Sequence, residues 1–272
     1  MGISRSGYYH WKRRKAEREV QEREYAENVR KTFALGEGTY GASRICGKLR
    51  QEGFPCSFYK VREYMDIQGL RCIHIRRRQR SLTDSRKARG DGYFNLTRNL
   101  DIRSPFEVLS SDISYIRTGE GFDYLCQIKD VMSGVILAES ISEHMRADLV
   151  VKTIKKAIKR YEIPKGCIFH SDRGSQYTSE DVMNLLTKEG FQQSFSRVGT
   201  PGDNSWSESF FANLKKETVH WTHFQTRAEA RQKIFAYIEG FYNTRRIQKR
   251  LDYLSPLQWL KRWNLGLQTT VA

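Results

Sequence analysis

Between residues 106 and 196 the chain breaks into short runs of β-branched and aromatic residues, interleaved with stretches of helical period. Residues 106–116, 122–132 and 135–141 read as three strands, with turns at residues 118–121 and at Ser133-Gly134, which makes a meander. Residues 147–161 repeat Leu149, Val150, Ile154 and Ile158 at helical spacing; a short strand at 167–170, a helix at 179–189 and a fifth strand at 191–196 follow. Three antiparallel strands followed by alternating helix and strand predict an α/β fold, a mixed five-stranded sheet flanked by helices, with the first strand central and the fourth beside it. Upstream the pattern is all-α. Residues 12–24 read as a charged, solvated helix; 42–52 carry Ile45 and Leu49, and 57–68 carry Val61, Tyr64 and Met65 behind Ser57 as N-cap. With Gly53-Phe54-Pro55 as the turn, the last two make a helix-turn-helix-like unit whose second helix offers Lys60 and Arg62 to phosphate. Downstream, Ile234, Phe235, Ile238, Phe241 and Tyr242 recur at helical spacing and read as core.

Charge sharpens this division. The chain of 272 residues carries a formal charge of +16, and residues 1–100 hold 23 Lys and Arg against 11 Asp and Glu, while the remainder is nearly balanced. A basic helical region attached to a balanced body fits a polyanion, with nucleic acid preferred over a membrane surface. Arg71, Arg76, Arg77, Arg78 and Arg80 form the densest basic cluster, and Arg76, Arg77, Arg78 and Arg80 are expected to track a phosphate backbone. The expected domains are 1–80, helical and basic; 81–104, a linker poor in periodicity; 105–220, the catalytic sheet; and 221–272, a helical extension of it. The five cysteines are scattered without a C-x-x-C pair and read as free thiols of a reducing compartment. With no apolar run of membrane length and no signal peptide expected, the reading is a cytoplasmic, nucleoid-associated protein without membrane contact.

The chemistry lies in three acids. Asp112 stands inside the first strand, where an unpaired carboxylate is costly, and Asp172 follows the apolar run that ends the fourth. Glu208 falls in the first turns of a helix that follows Gly202-Asp203-Asn204-Ser205, with Asn204, Glu208 and Lys215 on one polar face. Converging carboxylates repel unless cations bind between them, and hard oxygen donors suit Mg²⁺ or Mn²⁺. Two such ions roughly 4 Å apart serve phosphoryl transfer, which makes the substrate a phosphodiester. Lys215, Asn204 and Arg173 are then candidate DNA contacts, as is Arg246 within a basic face that includes Arg245, Lys249 and Arg250. His170 fits either a metal or phosphate ligand or a hydrogen-bonded structural histidine, and Trp206 either a base-stacking or a packing role.

Asp112, Asp172 and Glu208, with 35 residues between the last two and a lysine seven beyond the glutamate, resemble the D,D(35)E triad of retroviral integrases and bacterial insertion-sequence transposases. Four stretches, in order, are similar to the second-frame product of the "insertion sequence three" family. They are Ser111-Asp112-Ile113-Ser114-Tyr115-Ile116, His170-Ser171-Asp172-Arg173-Gly174, the segment from Asp203-Asn204 through Glu208 to Lys215, and Tyr242-Asn243 through Arg246 to Pro256. Leu109 stands where that family often has Trp, and Gln248 where it often has His. The resemblance covers essentially the whole chain. It implies an RNase H-like integrase core, divalent metal, binding to terminal inverted repeats and target DNA, donor-strand cleavage and 3′-OH strand transfer. It also implies a homo-oligomer on DNA and an upstream-frame helix-turn-helix partner or fusion. The alternatives are a DNA-binding regulator without chemistry and an RNase H-like nuclease that cuts without joining.

Overall fold

The computed structural model describes residues 4–73, 92–197 and 200–266, in two compact units. The first comprises Met1–His74 together with Ile247–Tyr253. Its helices are α1 (Arg5–Leu35), α2 (Ala42–Gln51) and α3 (Phe58–Ile67). Ser4 caps α1 by accepting from the Gly7 amide at 3.0 Å, and Ser57 caps α3 in the same way from Lys60 at 3.2 Å, which starts both helices where a hydroxyl replaces the missing acceptor. The core of the unit is built from Tyr25 and Val29 of α1, Tyr40 of the segment after it, Ile45 and Leu49 of α2, and Val61 and Met65 of α3. The first twenty residues of α1 are exposed. Periodicity alone did not reveal that residues 247–253 pack here: the Ile247 amide donates to the Tyr40 hydroxyl at 2.9 Å, and Tyr253 lies so close to Gly47 that a Cβ there would sit 2.1 Å from the ring. Only glycine fits at position 47.

The second unit holds a five-stranded sheet in the order β3-β2-β1-β4-β5. β1 (Val108–Thr118), β2 (Gly121–Asp130) and β3 (Ile136–Ser142) form the predicted antiparallel meander. α4 (Ala147–Arg160) then crosses over and returns the chain as β4 (Ile168–Ser171), parallel to β1; α5 (Glu180–Lys188) repeats the move to β5 (Gln192–Phe195). Strand alternation sends Leu109 and Ile113 into a core shared with Leu149, Ile154, Phe169, Tyr177, Val182 and Leu186. The opposite face of β1 presents Val108, Ser110 and Asp112, and α6 (Ser205–Glu217) packs across β1 and β2 through buried Phe210, Phe211 and Leu214. α7 (Arg227–Phe235) runs into a π-helical turn at Ala236–Tyr242, and α8 (Pro256–Asn264) closes the unit with a capping box at Ser255. Ile234, Ile238, Phe241 and Tyr242 are buried as expected, but Phe235 is 56% exposed, because the wider π turn shifts the apolar stripe past it. Among the described residues no helix is long and apolar enough to cross a membrane.

Candidate active site

β1 and β4 pair in parallel at Val108–Ile168, Leu109–Phe169 and Ser110–His170, and the pairing ends there. Asp112 lies two residues beyond Ser110 and Asp172 two beyond His170, so the two acids sit at matching positions just past the β1–β4 pairing. A crevice outside the carboxyl ends of parallel strands is where open α/β sheets place their ligands. β1 continues to Thr118 along β2 alone, which leaves its other edge open beside Asp112.

The electrostatics of the acids centre on Asp112. Burial pushes the Asp112 carboxyl up to about 7, and repulsion from Asp172 and then from Glu208 adds to the shift. The Ile113 amide, donating at 2.8 Å, and the charge of Lys215 oppose it. Protein packed around the Asp172 carboxyl also raises it although the side chain reaches solvent, and the Gly174 amide at 3.0 Å works against that. Glu208, exposed on the first turn of α6, is raised by partial burial. Lys215 is lowered by desolvation and held charged by Asp112, with Nζ 4.9 Å from the centre of the Tyr115 ring. Among the described residues no three His, Cys, Asp or Glu side chains stand as a ready-made cation site. The charges of Asp172, Glu208 and Lys215 are all felt at Asp112.

Two buried polar clamps fix α6. At its start Asn204 accepts from the Ser110 hydroxyl at 3.1 Å and donates to the Ser111 carbonyl at 3.0 Å. Ser207 shares a very short hydrogen bond with Ser110 and accepts from Gln127 at 2.8 Å. At its end Glu217 takes two hydrogen bonds from Arg246, at 2.7 and 2.6 Å, and a third from the Tyr237 hydroxyl at 2.7 Å. Glu208 and Lys215 therefore ride on a helix tied down at both ends, which holds a side-chain constellation rigid.

Three of the candidate DNA contacts are engaged inside the protein. Asn204 is 5% exposed and is used up on the β1 backbone and Ser110; Arg246 is 2% exposed and neutralised by Glu217. Arg173 donates from Nε to the Ser196 carbonyl and from Nη2 to the Tyr93 carbonyl, and stacks over Tyr93, bracing the loop after β4. Lys60 and Arg62 are exposed on α3, while Arg76, Arg77, Arg78 and Arg80 lie outside the described residues. His170 is the structural histidine: fully buried, hydrogen-bonded to Ser194 at 2.8 Å and Ser196 at 3.1 Å, and pushed down to about 4 by desolvation. Trp206 packs edge-on against it and beside the cluster of Val108, Val131 and Ile168. Half-buried Gln248 belongs to the helical unit, its amide nitrogen without a hydrogen-bond partner among the described residues. Ser110, Ser207, Gln127 and Glu217 escaped the sequence reading; the one available signal was Ser110, a small polar residue two positions before the acid on the same strand face.

The match to known families follows this division of the chain. An Integrase core domain model matches residues 103–201, a second Integrase core domain model matches 208–262, and an HTH-like domain model matches 19–79. The transposase for insertion sequence element IS904 of Lactococcus lactis is 36% identical over 250 residues, 92% of this chain and 98% of that protein. Transposase InsF for insertion sequence IS3A of Escherichia coli is 32% identical over 266 residues, 94% of this chain and 90% of that one. Among solved structures, the catalytic core domain of BIV integrase aligns with 60% of this chain and 99% of its own at 16% identity and a TM-score of 0.44. The HTLV-2 integrase catalytic core domain in complex with magnesium aligns with 57% and 95% at 13% identity and a TM-score of 0.43. With relatives this similar over nearly their whole length, the chain belongs to the IS3 family of insertion-sequence transposases, DNA transposases built on an integrase core.

Proposed function

We propose that this transposase cuts DNA at the ends of its element and joins the freed 3′-OH to target DNA at a pocket formed by Asp112, Asp172 and Glu208. The observation that carries the reading is Asp112, a carboxylate in a protein-lined crevice repelled by two further acids and balanced by a single lysine. Such a donor set, hard and anionic, fits Mg²⁺ or Mn²⁺, with the three acids as the residues that would hold the ions. When bound, a pair of divalent ions supplies the charge that stabilises attacking and leaving oxygens in an in-line displacement.

In the first reaction water breaks a P–O3′ bond and leaves a 3′-OH and a 5′-phosphate; in the second that 3′ oxygen attacks a target phosphate and displaces the target's own 3′ oxygen. The first step is a hydrolysis, and in the second one phosphodiester forms for the one broken, so neither needs an external energy source. The chain's residues place the substrate. Lys215, held over Tyr115, meets a phosphate next to the acids. Exposed Lys60 and Arg62 of the HTH-like unit, with Arg76, Arg77, Arg78 and Arg80 further along the chain, grip the backbone of the terminal repeat. Pairing two element ends calls for a homo-oligomer on DNA, and an upstream-frame helix-turn-helix protein, separate or fused, is the further partner. The protein then works at the nucleoid in the cytoplasm.

A pre-cut 3′-OH end supplied with a target plasmid and Mg²⁺ tests this. Joined products that vanish in Asp172→Asn support the proposal; cut products alone mean a nuclease, and binding alone means a regulator.

A further inference from the structure

The β1–β2 hairpin carries two large aromatic side chains that the core does not use. Tyr115 is 42% exposed and Phe122 is 47% exposed. Tyr115 pairs with Tyr124 across the ladder, which makes Phe122 its diagonal neighbour on the same face, and the two rings meet edge-on at 5.5 Å. On that face the packed core stops at Ile113 and Tyr124, and the aromatic pair projects past its rim. Solvent-facing aromatics side by side forgo most of the burial that makes such residues worth having in a fold. What they adjoin is the acidic pocket. Lys215 lies over Tyr115 and within electrostatic reach of Asp112, so one cation links the rings to the acid, which leaves β1 on its other face.

From this juxtaposition we infer that Tyr115 and Phe122 form a stacking platform for an unpaired nucleobase next to the reacting phosphate, with Lys215 holding the phosphate between. The inference rests on the DNA-end reading above and adds a requirement to it. Bases inside a duplex are stacked on one another and offer no free face, so only a frayed or single-stranded nucleotide can occupy the platform. The enzyme therefore prefers DNA ends whose last bases are unpaired. Recognition by stacking is indifferent to base identity, since every base has a π-face, so the platform reads the state of the end and leaves its sequence to the helical unit.

The test uses the full chain and two labelled duplexes of the same mixed sequence, one blunt and one with a short single-stranded overhang carrying 2-aminopurine, at fixed salt. The wild type binds the overhang duplex more tightly and quenches its fluorescence. Tyr115→Ala and Phe122→Ala each weaken overhang binding about tenfold and lose the quenching, with blunt binding unchanged, and Tyr115→Trp keeps both signals. Alanine variants that retain the preference, or that lose blunt and overhang binding equally, overturn the platform, as does a wild type with no preference. Binding is read without chemistry. A chain that shows the preference yet joins no ends thus refutes strand transfer and leaves the platform standing, and joining without any preference does the reverse.

Discussion

The helical unit and the sheet unit treat positive charge in opposite ways. On α3 of the helical unit Lys60 and Arg62 stand in solvent, whereas in the sheet unit Arg246 is buried against Glu217 and Arg173 is committed to two carbonyls. A basic residue in the sequence thus carries different information in the two regions. Where the surrounding segment is short helices with a small core, a cation has nowhere to go but the surface. Where a large sheet and a crossing helix must be joined, a guanidinium with five donors becomes a structural tie. The acids divide likewise: Glu217 is neutralised by a partner, while Asp112 is surrounded by like charge with one lysine nearby.

Removing an acid from the pocket breaks the comparison most severely. Asp172→Asn and Asp112→Asn are each expected to lower strand joining about a thousandfold or more, because several kcal/mol of transition-state stabilisation depend on the cations those carboxylates would hold. Terminal-repeat binding, read by gel shift, survives in both. Next in size is Arg246→Ala, which leaves the Glu217 carboxylate in the interior with only the Tyr237 hydroxyl as partner and is expected to cost about 3–5 kcal/mol of stability. Denaturant unfolding followed by tryptophan fluorescence measures it; a variant as stable as wild type means that the buried pair contributes nothing net. Smaller again is Asn204→Ala, which leaves the Ser111 carbonyl without its donor and frees the start of α6. It is expected to cost about 1–3 kcal/mol, with joining reduced in a chain that still folds and binds DNA. Had Asn204 been a DNA contact, the same change would weaken binding at unchanged stability, so the two measurements together separate the roles.

The sheet was legible because its information is local. β-branched alternation, turn residues and the helical periods of 147–161 and 179–189 each specify an element without reference to the rest, and chain order then leaves few topologies. Asp112 stood out as a candidate because a charged residue in an apolar strand contradicts its surroundings. The burial of Asn204 and Arg246 was hidden for the converse reason: polar residues in polar stretches look like surface, and only the meeting of α6 with β1, or of its end with the segment after the π turn, shows that they are inside. The same limit hid residues 247–253, whose neighbours Tyr40 and Gly47 lie about two hundred positions earlier in the sequence. Phe235 was misplaced because a π turn changes the helical period without a sequence signature.

The mildest change sharpens the contrast inside the helical unit itself. Arg62 and Lys60 both face solvent, but Lys60 sits over the Tyr25 ring with Nζ 4.4 Å from its centre, so part of its charge is already engaged. A phosphate contact releases counterions, and its loss lowers the slope of log affinity against log salt by about one, with binding weakened evenly across DNA sequences. Arg62→Ala is expected to show that full decrement. Lys60→Ala is expected to show a smaller one together with a slight loss of unfolding stability, since removing it also uncovers Tyr25, which is buried in the unit's core. Equal slopes for the two variants would mean that Lys60 leaves the ring when DNA binds, and an unchanged slope for Arg62→Ala would mean that α3 does not track the phosphates. Neither substitution touches the sheet unit's acids, so joining of saturating pre-cut ends should proceed at the wild-type rate in both, which ties any defect at low DNA concentration to the helical unit's grip alone.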